Sequence, residues 1–187
     1  MFKTTFKKIT EFFAKFFNKT PLPCDLSFYD QFDIDKTEDF IDMVQYIESD
    51  DNNIWESRIR DRRTGTSTAI ILSALSQAIR LNKNVIIVVN TNSEINNLRK
   101  IVWRYTQTLK NIKFTVYLTS IKFESGGRIT FLNISNYNLI RGFRPDLIIF
   151  DCISESNKNF EYWTQIISIS FAKIRTFHEN EEVKYEN

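Results

Sequence analysis

The sequence is poor in the residues that cross-link, ligate or punctuate a chain. It has 2 cysteines, a single histidine, 4 glycines and 3 prolines in 187 residues. Cys24 and Cys152 make no disulfide framework, and Cys152 follows an apolar run, where a free thiol belongs to a core. His178 stands alone in a charged stretch, so no histidine-based triad or zinc site is supported. No apolar run approaches the roughly 20 residues of a membrane-spanning helix. Lysines interrupt the N-terminal segment, so it does not read as a secretory signal. These absences lead to the expectation of an intracellular protein. Charge of one sign is lacking too: the net charge is +2, so any nucleic-acid surface has to be local.

What is present is a globular composition, with 42% hydrophobic and 26% charged residues. The length suits one domain or slightly more, with a substantial core. Residues 2–19 alternate Phe and Lys at helical spacing. Phe2, Phe6, Ile9, Phe12, Phe13, Phe16 and Phe17 gather on one side, away from Lys3, Lys7, Lys8, Lys15 and Lys19. A basic amphipathic helix is therefore expected over residues 1–20. It has two readings: packing on its own domain or a protein partner, or lying on a membrane surface. Pro21 and Pro23 end it and open a linker over 21–36.

A helix is expected over 39–47, with Thr37 as its N-cap and acids in its first turn. Residues 50–53 read as a loop, and 54–60 as a strand too polar for the middle of a sheet. From residue 66 the pattern is regular. A helix over 67–81 buries Ile70, Ile71, Ala74, Leu75, Ala78 and Ile79. A strand over 85–89 is apolar throughout, as strands covered on both faces are. A helix over 93–109, strands over 113–118, 128–134 and 147–150, and a strand within 162–171 centred on 166–169 complete the series. Alternating strands and helices predict an α/β fold, a mostly parallel sheet with helices on both faces. The domain is expected to span 37–175, with a polar tail over 176–187.

Two segments carry chemistry. Asp61-Arg62-Arg63-Thr64-Gly65-Thr66-Ser67-Thr68 resembles a damaged Walker A loop. In G-x-x-x-x-G-K-[ST], backbone N–H groups wrap phosphates, the Lys reaches the outer phosphates, and the hydroxyl holds Mg²⁺. Gly65 and Ser67 fit the second glycine and the hydroxyl, whereas Arg60 and Thr66 stand where the first glycine and the Lys belong. Taken alone, the segment also reads as a polar loop in which Thr66 or Ser67 caps a helix. The second segment, Leu147-Ile148-Ile149-Phe150-Asp151, has the form of a Walker B strand whose terminal Asp serves Mg²⁺ through water. Taken alone, Asp151 also reads as a cap after a strand. Cys152 occupies the place of the Glu that activates the attacking water.

In this order the segments resemble the ATPase domain of viral large terminase subunits, the motors that package DNA into capsids. That family carries S-R-Q-x-G-K-[ST]-T, matched by residues 61–68 with Thr66 for the Lys. It also carries R-G-x-x-P-D-L, three apolar residues and D-E, matched from Arg141-Gly142 through Asp151 with Cys152 for the Glu. Gly126 through Phe131 resembles its G-x-x-I-x-F strand. The resemblance covers about residues 40–171. It implies a P-loop fold, ATP and Mg²⁺ as cofactors, and double-stranded DNA and packaging machinery as partners, in a host cytoplasm.

The resemblance also implies site roles. Gln45 would read adenine, Arg63, Thr64, Gly65, Thr66, Ser67 and Thr68 would cradle phosphate, and Ser67 and Asp151 would serve the metal. Asp151 and Arg62 would act in catalysis, with Arg62 or Arg63 replacing the lost lysine charge. A coupling motif falls at 168–170. The two departures imply slow or absent hydrolysis. A second class of function follows from them, a catalytically inactive protein that docks on a protein or membrane through residues 2–19.

Overall fold

The structure is a computed structural model that describes residues 26–49, 55–60, 65–140, 143–153, 157–167 and 172–179. The elements begin with a 3-10 segment (Leu26–Gln31), α1 (Glu38–Glu48), β1 (Trp55–Arg60), α2 (Thr66–Arg80), β2 (Asn84–Val89) and α3 (Asn92–Thr108). They continue with β3 (Phe114–Val116), β4 (Ser120–Phe123), β5 (Arg128–Asn133), a kinked 3-10 segment (Ile134–Ile140), β6 (Leu147–Phe150), α4 (Lys158–Ile167) and β7 (Lys173–Glu179). One seven-stranded sheet has the order β1-β7-β6-β2-β5-β4-β3. The first five strands in that order run parallel, and β4 and β3 run antiparallel. The expected α/β class, with a mostly parallel sheet and helices on both faces, is what the chain forms.

Local chemistry accounts for the helices. The Thr37 hydroxyl accepts the Phe40 N–H at 3.2 Å to start α1, and Glu38 and Asp39 sit in its first turn. A capping box starts α3: Thr91 Oγ1 accepts the Glu94 N–H at 3.2 Å, and Glu94 Oε2 accepts the Thr91 N–H at 3.0 Å. α2 is buried from Ala69 to Ala78, which is why its sequence is short-chained and apolar almost all round. Its C-terminal end meets the β4–β5 turn so closely that a Cβ on Gly127 would lie 1.9 Å from the Ala78 carbonyl oxygen.

The sheet separates two cores. On one face α1, α2 and α3 cover Val85, Ile87, Ile129, Phe131 and Ile149. On the other, α4 and the second 3-10 segment cover Ile86, Val88, Ile148 and Phe150. There Phe150 meets Phe160 and Trp163 edge to face at 5.2 and 5.5 Å, and Trp163 Nε1 donates to the Ile134 carbonyl at 2.6 Å.

Four expectations are corrected. The strand expected within 162–171 is the end of α4. Phe160, Trp163 and Ile167 recur at helical spacing and are buried together, and this period prevails over the β-branched run. The strand lies later, at β7, so the ordered domain passes residue 175 and residues 176–179 are not a polar tail. Residues 26–31 of the expected linker form a helical turn whose Phe28 and Tyr29 are core, and Tyr29 Oη donates to Glu48 Oε1 at 2.6 Å. β4 is an additional strand; it makes β3–β5 an antiparallel meander. The amphipathic segment 2–19, the loop 50–53 and the coupling position 168–170 lie outside the described residues. No helix among the described residues is long and apolar enough to cross a membrane.

Candidate functional site

The carboxyl ends of the parallel strands converge on one side of the domain, where ligands of open α/β sheets bind. Gly65 precedes α2 in the left-handed region (φ 77°), where a side chain is disfavoured. A Cβ there would meet nothing within 4 Å, so conformation and not space calls for glycine. Thr66, Ser67 and Thr68 form the first turn of α2, whose leading N–H groups have no partner within the helix.

Asp151 follows β6 and is 7% exposed. Its N–H still bonds to the Val88 carbonyl at 2.9 Å, so the backbone remains part of the sheet. Ser67 Oγ donates to Asp151 Oδ2 at 3.3 Å, closing an 84-residue separation in sequence. The two oxygens share one point at the mouth of the sheet.

The segment after Asp151 is held from two further sides. Cys152 takes a left-handed conformation (φ 53°), and its carbonyl accepts Asn90 Nδ2–H at 2.8 Å. His178 Nδ1 lies 2.5 Å from the Ile153 carbonyl oxygen. A carbonyl only accepts, so Nδ1 carries the proton in that contact. Cys152 is half-buried and is not in a disulfide.

Gly65, Thr66, Ser67, Thr68 and Asp151 are thus brought together. Gln45 is exposed on α1. Arg62, Arg63 and Thr64 lie outside the described residues. Asn90 and His178 join the site without being marked by any motif. Asn90 follows a buried strand directly, which is a usable signal; nothing in the local pattern of His178 marks it as core.

No known family profile matches the sequence, and no curated protein matches it. Solved structures do match. The ATPase domain of the large terminase of Thermus phage P74-26 superimposes with a TM-score of 0.62 at 12% identity, over 87% of this chain and 72% of that one. The large terminase of a thermophilic bacteriophage, in complex with ADP, gives 0.52 at 17% identity, over 76% of this chain and 38% of that one. The N-terminal domain of the bacteriophage phi29 DNA packaging ATPase gives 0.53 at 13%, over 70% and 74%. The chain has the fold of phage packaging ATPase domains. At these identities the likeness is one of fold.

Proposed function

We propose that this chain is a terminase-like module of viral DNA packaging that takes Mg-ATP and hydrolyses it slowly or not at all. The observation that carries the reading is the 3.3 Å approach of Ser67 Oγ to Asp151 Oδ2 beside the left-handed Gly65.

A hydroxyl and a carboxylate are hard oxygen donors. Mg²⁺ takes such a set, completed by phosphate oxygens and water, so these residues fit it. Ser67 and Asp151 would hold Mg²⁺, and the ion would supply charge neutralisation for the phosphates. The other half of the machinery is weakened. Thr66 is 8% exposed and supplies a hydroxyl without a cation. Cys152 supplies a thiol where a carboxylate would orient water, and its left-handed backbone is pinned by Asn90. Both losses fall on transition-state stabilisation more than on binding. Gln45 as an adenine reader and Arg62 or Arg63 as a replacement charge belong to the same proposal, as do DNA and motor proteins as partners.

The test is calorimetric titration with Mg-ATP beside a steady-state ATPase assay with and without DNA. Wild type should turn over near background. Thr66→Lys should tighten Mg-ATP about tenfold, the ~1.4 kcal/mol of one charge-assisted contact. Adding Cys152→Glu should raise turnover. Robust DNA-stimulated hydrolysis by wild type would reject the assignment of Thr66 and Cys152. No binding even in the double variant would favour the inactive docking protein.

A further inference from the structure

We propose that the pocket at the amino ends of β2 and β5 is a phosphate-binding site for a nucleic-acid strand, built on Arg128 and Arg144. Both arginines line a concavity of about 270 Å³, together with Asn84, Thr130 and Phe143. Neither forms an ion pair with a carboxylate of the described residues. The nearest acid in sequence is Asp146, whose Oδ2 is engaged by the Asn84 N–H at 2.7 Å. Two guanidinium groups without a carboxylate partner around one hollow favour an anion, and their planar forks match phosphate oxygens.

The site is separate from the Ser67–Asp151 pair. β2 and β6 are in register from Val85↔Leu147 to Val88↔Phe150. The pocket lies at the start of these strands and Asp151 at their end, roughly 15 Å away at the usual rise per residue. An ATP molecule at Gly65 does not occupy it.

The surroundings identify the ligand. The volume is below the roughly 300–1,000 Å³ of pockets that enclose a whole small molecule. It suits one phosphate, with the rest of the ligand outside. Outside lie the exposed positions of the β3–β5 meander on the face opposite Ile121 and Phe123. Ile121 and Phe123 turn to the core, so the intervening Lys122, register partner of Arg128, faces the other way and is exposed. Tyr117, 49% exposed, sits under the Arg128 guanidinium at 5.9 Å, and Phe143 on the pocket rim is 40% exposed. Cations interleaved with exposed rings are the composition that tracks a phosphodiester backbone and stacks its bases. An acidic peptide would use the cations and leave the rings idle.

Fluorescence anisotropy on the full chain tests this, using labelled 20-nucleotide single and double strands at 50–200 mM NaCl with pyrophosphate as competitor. Arg128→Gln with Arg144→Gln should weaken strand binding at least tenfold at low salt. The log–log salt slope on duplex should fall by about 2, near 0.9 for each phosphate no longer neutralised. Mg-ATP titration of the same variant should be unchanged, which separates this site from the nucleotide reading. Unchanged affinity and slope in the folded double variant would overturn the proposal. So would pyrophosphate binding without strand binding, or an equal loss from Lys100→Gln on α3, across the sheet. Arg144 is exposed, so Arg144→Gln alone carries the test if Arg128→Gln fails to fold.

Discussion

β6 and β7 lie side by side inside the sheet, and both are buried, yet they are built from opposite materials. β6 is Leu-Ile-Ile-Phe, with every residue at most 2% exposed. β7 carries Arg175 and Thr176 at 0% and His178 at 9%. β6 is stabilised by apolar burial on both faces. β7 is stabilised by partners supplied from elsewhere. Arg175 donates from Nε to the Tyr46 carbonyl at 2.9 Å and from Nη2 to Ser49 Oγ at 3.1 Å, and its guanidinium lies 5.3 Å from the Tyr46 ring. Lys173 Nζ donates to the Ser49 carbonyl. These acceptors cluster at the C-terminal end of α1, where carbonyls lack helical partners and the dipole favours cations. A charge can therefore occupy the middle of a sheet when a helix end is aimed at it. In return it fixes that helix.

The contrast can be broken by substitution. The largest effect is expected at Arg175. Arg175→Met fills much of the volume but removes the bonds to the Tyr46 carbonyl and the Ser49 hydroxyl, which keep only their mutual bond at 3.2 Å, and should cost about 2–3 kcal/mol in urea unfolding, as losing buried hydrogen bonds to a charged group does. Ile148→Val, the matching trim in β6, should cost only about 1 kcal/mol in the same assay. Equal losses would show that Arg175 contributes packing alone. The smallest effect is at Thr176, whose buried Oγ1 has no hydrogen-bond partner among the described residues. Thr176→Val keeps the shape and removes a desolvated hydroxyl, so a slight rise in melting temperature is expected, worth up to about 1 kcal/mol. A clear fall in melting temperature would mean that the hydroxyl is satisfied.

The same contrast explains what can be read from the residues in advance. α2, β2 and β6 are long or uniform apolar patterns, and such patterns survive any tertiary context. The Gly65, Ser67 and Asp151 positions are legible because motif spacing encodes them. β7 is not legible, because its charges are acceptable only beside the end of α1, more than 120 positions away by residue separation. The run at 166–169 looks like a strand because β-branched residues favour one. Only the company of Phe160 and Trp163 makes its start helical. β4 is four residues long with an exposed Lys122, too short to show a period. Asn90 and His178 act through single contacts to backbone carbonyls, which no spacing rule records.

The position of β7 also sets an order of events. Among the described residues β1 pairs with β7 alone, beginning at Trp55↔Ile174. Closing that contact spans about 120 residues, a costly step in chain entropy that arrives late in folding. β2, β5, β6 and the helices between them can gather beforehand, because their partners are nearer in sequence. The strand that leads into Gly65 is therefore seated only after residue 179 is available, and the half of the site contributed by Asp151 exists first. During synthesis, β1 has no strand partner among the described residues until almost all of them have emerged.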